Sequence, residues 1–347
     1  MQLDTSLVRR LGIRWPIFQA PMAGAAATDL AVAVGEAGGL GALSVALEPA
    51  ARISEQAQFV RARTKAPFNL NLFAYEPSSA SADQLRRMHE RLAPIRAELG
   101  IPSPKIEPVA RELDAQYEAA IRVAPPVFSF TFGIPRREYL DAFRKSGTFL
   151  IGTATHPDEA RALADAGVDA ICAQGSEAGG HRGTFLGDAR DALIGTSTLV
   201  PLCRAAVKLP IIAAGGIMDG RGVAAMLALG AEAAQLGTAF LACPETKLQP
   251  LHLSALRSPH AAKTRVTSAF SGRAARGIVN RLMEYLDADP DSLLPYPLQS
   301  DAIRDIRAAA NAQGRWEFQQ LWAGQGAPLM RSVPAKELIE ALVREAG

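Results

Sequence analysis

Residues 174–183 read QGSEAGGHRG, which sets an amide, a hydroxyl, a carboxylate, an imidazole and a guanidinium among four glycines. The imidazole of His181 carries the most chemistry. It titrates near neutral pH, so it can take a proton from a substrate or stabilise an anion beside it. Its plainer reading is a loop histidine making one backbone hydrogen bond. Neighbouring Glu177 either orients the ring or lies in solvent, and the sequence leaves both open. The other four histidines read as structural or solvated: His89 in a charged helical stretch, His156 at a helix start, His252 and His260 beside the cap region described below.

Two further motifs suit an anion. AAGGIMDGRG (213–222) puts Gly215 and Gly216 between an apolar run and a helical pattern, and QLGT (235–238) puts Gly237 and Thr238 on the next run. Glycines let backbone approach a ligand closely, and helix N-termini offer free N–H groups. No GxGxxG follows a strand, since GLGALS (39–44) lacks the third glycine and enters a strand. A dinucleotide fingerprint is therefore poorly supported, and the phosphate reads as that of a mononucleotide or small phosphorylated molecule. Asn69, Asn71 and Gln174 could pair with the donor and acceptor edges of a heterocycle. Pro21, Met22 and Ala23 could give a backbone ledge beside it. In TSAFSGRAARGIVNR (267–281), Ser271, Arg273 and Arg276 read equally as a charged lid or as a helix start with a solvated basic face.

The elements that must position these groups recur along the chain. Eight apolar runs, PIFQAP (16–21), LGALSV (40–45), FNLNLF (68–73), VFSFTF (127–132), FLIGTAT (149–155), DAICAQG (169–175), PIIAAGG (210–216) and AAQLGTAF (233–240), alternate with amphipathic segments. Runs that are apolar throughout are what parallel strands covered on both faces require. Eight such units predict an α/β protein, a (β/α)8 TIM barrel. Chemistry in such a barrel sits at the C-terminal strand ends, where nearly every polar motif above falls. Residues 76–126 are long for one crossover, with helical stretches at 81–99 and 111–124. The expected division is a barrel of 1–241 plus 328–347, closed by the helix PAKELIEALVREA, and a helical cap or substrate domain of 242–327.

With 37 basic and 35 acidic residues in 347, the net charge of +2 and the absence of a polybasic arm argue against nucleic acid. Cys172, Cys203 and Cys243 are dispersed, so neither a disulfide framework nor a metal site is expected. No segment reads as a signal peptide or membrane span, and a cytoplasmic location is expected. Oligomeric state is not fixed, and a homodimer stays open.

Taken together, PIFQAPMAG, GGLGALS, FNLNLF, GSEAGGHRGTF, PIIAAGGIMDGRG, GAEAAQLGTAF, SAFSGRAARGIVNR and PYPLQ resemble the nitronate monooxygenase family, in particular its first class. The resemblance implies a barrel binding non-covalent FMN, a helical substrate domain and a catalytic His181. It places Asn69, Gln174, Gly179, Gly180, Gly215, Gly216, Gln235, Leu236, Gly237 and Thr238 against FMN, with backbone help from Pro21, Met22 and Ala23. It implies oxidation of an anionic alkyl nitronate, usually propionate 3-nitronate, with O2 to a carbonyl compound and nitrite. His181 would hold the nitronate and stabilise its charge, or remove a proton from a neutral nitroalkane. Ser271 and Tyr296 are substrate-pocket candidates, and a substrate carboxylate would meet Arg273 or Arg276. The rival readings are an FMN-dependent NAD(P)H reductase, of the enoyl-acyl-carrier-protein or quinone reductase kind, and a non-catalytic flavin-binding barrel.

Overall fold

The computed structural model describes residues 3–109 and 111–347. Its strands are β1 (Ile17–Gln19), β2 (Gly41–Ser44), β3 (Phe68–Phe73), β4 (Val127–Thr131), β5 (Phe149–Ala154), β6 (Ala170–Gln174), β7 (Gly180–His181), β8 (Ile211–Ala214), β9 (Ala233–Leu236), β10 (Thr264–Thr267) and β11 (Ala275–Ile278). Eight of them, β1 to β6 with β8 and β9, pair in parallel in the order β1-β9-β8-β6-β5-β4-β3-β2. These eight are the apolar runs of the sequence. The ring closes between β1 and β2 by a narrow seam. Leu40 N donates to Ile17 O at 3.0 Å, and Gln19 N donates to Leu40 O at 2.9 Å. The Gln19 side chain extends that seam: its Oε1 accepts from Ala42 N at 2.9 Å and its Nε2 donates to Ala42 O at 3.1 Å. A side-chain amide here does what a further strand residue would do.

The barrel interior is filled at its lower end by Phe18, Leu40, Val127, Phe149, Ile151 and Ile212, with Leu7 of the helix Ser6–Leu11 packed among them. Around the outside, helices bury their apolar stripes against the strands in one large core. Local sequence sets their ends. His156 accepts from Asp158 N at the start of Pro157–Asp165, and Asp219 accepts from Gly222 N at the start of Gly220–Ala228. The last helix, Ala335–Ala346, buries Leu338, Ile339 and Leu342 between Thr28–Glu36 and Gly220–Ala228, closing the outer ring.

A second core lies over the barrel mouth. Phe270, Leu282, Met283, Leu286, Ile306 and Phe318 supply much of it. Residues 242–327 are not purely helical, because β10 and β11 form a three-stranded antiparallel sheet with β7. Nor is this core confined to that span. The helix Ala82–Glu98, in the long crossover, contributes Met88, Leu92 and Ile95. Arg96 of that helix, 2 % exposed, reaches Asp305 at 2.7 Å and the Ala302 carbonyl at 2.9 Å. Among the described residues no helix is long and apolar enough to cross a membrane.

Candidate active site

β6 ends at Gln174, whose amide is committed to the loop it introduces. Nε2 donates to the His181 carbonyl at 3.0 Å, and Oε1 accepts from Gly183 N at 2.8 Å. That loop is held on several sides. β7 pairs antiparallel with β11, setting His181 opposite Ala275 and Gly180 opposite Arg276. Arg182, 1 % exposed, donates to the carbonyls of Gly175 at 2.6 Å, Gln174 at 2.9 Å and Ala192 at 3.1 Å. Arg276 Nε donates to the Ser176 carbonyl at 2.8 Å. The glycines serve close packing as well as turning. A Cβ on Gly179 would lie 2.5 Å from Gly324 N, so only glycine lets the loop meet the segment that follows Trp322.

Glu177 takes neither of its two expected roles. Its carboxylate accepts from Thr196 N at 2.9 and 3.0 Å and from the Thr196 hydroxyl at 2.8 Å. It thereby caps the helix Thr196–Ala206, whose own N-cap residue, Gly195, has no side chain to do so.

The His181 ring sits in an aromatic niche. Its centroid lies 5.4 Å from Phe132, 5.4 Å from Trp322, 5.7 Å from Tyr296 and 6.3 Å from Phe73, each edge-on. Burial there, with the positive charge of Arg273 as the second cause, pushes its pKa down to about 3. The imidazole is therefore neutral at physiological pH. Its Nε2 lies 2.8 Å from Ser271 Oγ, which is also 3.1 Å from the Arg273 carbonyl. Ser271 has one hydroxyl proton for these two acceptors. Given to Nε2, it forces the ring proton onto Nδ1; given to the carbonyl, it leaves Nε2 to carry the ring proton.

A cavity of about 590 Å³ lies between the barrel mouth and the second core, and His181 forms part of its wall. Pro21, Met22 and Ala23 after β1 line it, as do Gln174, Gly179 and Gly180. So do Gly215 and Gly216 after β8, and Gln235, Leu236, Gly237 and Thr238 at the end of β9. Gly215 and Gly216 hold φ of 119° and 71°, and a Cβ on them would come 2.9 Å from Thr196 Oγ1 and 3.2 Å from Glu177 Cβ. Consecutive glycines of this kind turn backbone N–H groups into an anion-binding concavity. The nearby helix start is already capped by Asp219 at 2.9 Å, so the loop is the better source of donors.

Two expected positions differ. Asn69 does not line the cavity: it is 2 % exposed and donates to Ser129 Oγ at 2.9 Å. Asn71, one pleat nearer the mouth, does line it and donates to the same hydroxyl at 2.9 Å. Ser271 is likewise 1 % exposed and meets His181 rather than the cavity, whereas Tyr296 reaches the cavity wall. Arg273 and Arg276 are not free for a substrate carboxylate. Arg273 donates to the Phe132 and Thr184 carbonyls and stacks 4.2 Å over the Phe132 ring, while Arg276 is held by Ser176 and Thr264.

The aromatic niche was not expected. Phe73 and Phe132 end or follow β3 and β4, so the rule that barrel chemistry gathers at strand ends could have found them. Phe132 carries φ of 81°, a strained backbone for a residue with a side chain. Trp322 gave no local signal. The three cysteines are buried thiols with pKa values pushed up to about 12 by burial, which removes them as nucleophiles.

Comparison with known proteins agrees with this geometry. The family model described as nitronate monooxygenase matches residues 4–345. The chain is 43% identical over 344 residues to the nitronate monooxygenase of Pseudomonas aeruginosa, covering 97% of each chain. It is 44% identical to that of Paraburkholderia phytofirmans, covering 98% of this chain and 94% of the other. Among solved structures, nitroalkane oxidase from Streptomyces ansochromogenes superposes with a TM-score of 0.90 at 40% identity, covering 98% of both chains. FabK from Thermotoga maritima superposes with a TM-score of 0.78 at 29% identity, covering 99% of this chain and 96% of the other.

Proposed function

The chain belongs to the nitronate monooxygenase family of flavin-dependent oxidoreductases, and on that premise we propose that it binds FMN non-covalently and oxidises alkyl nitronates with O2 to a carbonyl compound and nitrite. Propionate 3-nitronate is the substrate we favour. The observation that carries the reading is a neutral, aromatic-walled His181 on the same cavity as the glycine turns at 215–216 and 237.

The residues present suit FMN. The positive-φ pair Gly215 and Gly216, with Gly237 and Thr238 on the same wall, offers backbone N–H groups to a phosphate. The amides of Asn71 and Gln235 and the ledge at 21–23 suit the polar edges of a flat heterocycle, and the buried Thr131 hydroxyl in the same wall has no protein partner. FMN, when bound, supplies the electron transfer between nitronate and O2.

The chain's own part is to bind, orient and exclude water. Phe73, Phe132, Tyr296 and Trp322 keep the reacting end dry. Burial weakens His181 as a base toward a carbon acid, which favours a substrate that arrives already ionised. Of the two roles open to His181, holding the anion is thus the better supported: in the tautomer where Ser271 donates to Nε2, Nδ1 is left as a donor. In the same reading the second core, with Ala82–Glu98, forms the substrate-facing cap.

The test is O2 uptake with propionate 3-nitronate, with and without NADH, on purified protein whose visible spectrum has been recorded. A flavin spectrum and NADH-independent uptake are expected. Anaerobic bleaching of the flavin by NADH would instead favour the reductase reading, and yellow protein turning over neither would favour a binding barrel. In FMN-loaded His181→Asn, kcat/KM for the nitronate should fall by about a hundredfold or more. Near wild-type rates would remove the role assigned to His181.

A further inference from the structure

One guanidinium in the cavity wall makes no ion pair among the described residues. The helix Arg304–Ala312 presents Arg304, Arg307, Ala308 and Asn311 to the cavity, the i, i+3, i+4, i+7 spacing of a single face. Ile306 and Ala310, on its other side, pack into the second core. Arg304 and Arg111, on the same wall, share one carboxylate: Asp301, its side chain 3% exposed, pairs with them at 2.7 Å and 2.8 Å. Arg307 has no such partner. Among the described residues it makes no ion pair, and its Nε is shut from solvent without a hydrogen-bond partner. Its backbone alone is engaged among the described residues: the N–H donates to the Ile303 carbonyl at 3.0 Å and the carbonyl accepts from Gln319 Nε2 at 2.6 Å. Burial lowers the pKa of this guanidinium, as expected of a charge whose partner is missing.

A half-buried charge left unpaired beside a cavity is costly, and an anion entering the cavity would relieve it. The wall bearing Arg307 is continuous with the reacting end: Tyr296, Ser300 and Arg304 line the same cavity, and the Tyr296 ring is 5.7 Å from that of His181. The glycine turns suited to a phosphate lie on the barrel, whereas Arg307 lies on the cap.

We propose that Arg307 is a specificity-determining residue that grips a carboxylate at the far end of the substrate, so that the site selects nitronates carrying a second negative charge. This rests on the reading of the cavity as a nitronate site. It replaces Arg273 and Arg276, whose guanidiniums are bound to backbone carbonyls.

The test needs no turnover. The purified protein is titrated calorimetrically with 3-nitropropionate and with 1-nitropropane, which differ by a carboxylate in place of a methyl group. The wild type should bind 3-nitropropionate about ten- to a hundredfold more tightly, the usual return from a charge-assisted hydrogen bond. Arg307→Gln should remove most of that preference and Arg307→Lys should keep part of it, with flavin content unchanged in both. In turnover, Arg307→Gln should raise KM for propionate 3-nitronate, leave kcat near its original value and leave propyl 1-nitronate unaffected. No preference in the wild type, or a preference that survives in Arg307→Gln, would overturn the proposal. Loss of FMN from Arg307→Gln with the preference intact would assign the guanidinium to the cofactor phosphate and overturn it too. Absence of nitronate turnover with the calorimetric preference intact would sink the reaction assigned above and leave Arg307 as a carboxylate site.

Discussion

His181 and His252 both sit below the 6.5 of a free imidazole, at about 3 and about 4, chiefly because burial disfavours the charged ring. Each takes up a proton more readily in the unfolded chain than in the folded one. The stability that they contribute is complete above pH 6.5 and is lost as pH falls toward the folded values, at about 1.4 kcal/mol per pH unit for each group. Denaturant midpoints should therefore drop between pH 6.5 and 4, and His252→Gln should flatten that slope; an unchanged slope would argue against a buried neutral ring. Ser271→Ala isolates a different property. It removes the hydroxyl that chooses between the Nε2 and Arg273 acceptors, so nitrogen NMR should show the His181 tautomer ratio shift, with about a tenfold loss in kcat/KM from the lost hydrogen bond. A tautomer ratio identical to wild type would leave Ser271 a packing residue only. At this scale the sequence was informative about residue type and less so about depth. Asn69 and Asn71 share a face of β3 by the period of two, and nothing in that period says which one reaches the mouth. Ser271 was visible as a polar group near the site, but its orientation toward the ring depends on a contact across 90 residues.

The eight barrel strands were legible because burial on both faces writes itself as uninterrupted apolar runs, and FNLNLF coincides with β3 from end to end. β7 was not legible. Two residues cannot show a periodicity, and their pairing partner, β11, lies far along the chain. The cap had the same difficulty: Met88, Leu92 and Ile95 give an amphipathic stripe, but the stripe does not say that it joins the core containing Leu282 and Ile306. The glycine loop gives the prediction at this scale. Gly179→Ala should push the loop and residues 323–324 apart, since its Cβ would meet backbone on both. We expect about 1–3 kcal/mol lower stability in denaturant titrations and a raised KM for nitronate. A variant with wild-type stability would show that the segment after Trp322 moves aside freely.

At the scale of the molecule, barrel closure rests on few hydrogen bonds. The β1–β2 seam has one bridged pair, Phe18 with Leu40, and the Gln19 amide supplies two more bonds to Ala42. Gln19→Leu would leave buried Ala42 N and O unpaired, and should lower stability by about 2–4 kcal/mol while leaving the Nδ1 and Nε2 environment of His181 unaltered. Equilibrium unfolding decides it, and a loss below about 0.5 kcal/mol would mean that the seam relaxes to re-form the bonds. The pairing of β7 with β11 bears on how such proteins diversify. The His181 imidazole is borne by a barrel loop but registered by a ladder belonging to the upper layer, so under the proposed role of this ring chemistry and substrate choice would not be inherited as separate modules. A chimera carrying another relative's upper layer would keep its activity only if a small residue again faces the imidazole where Ala275 now does.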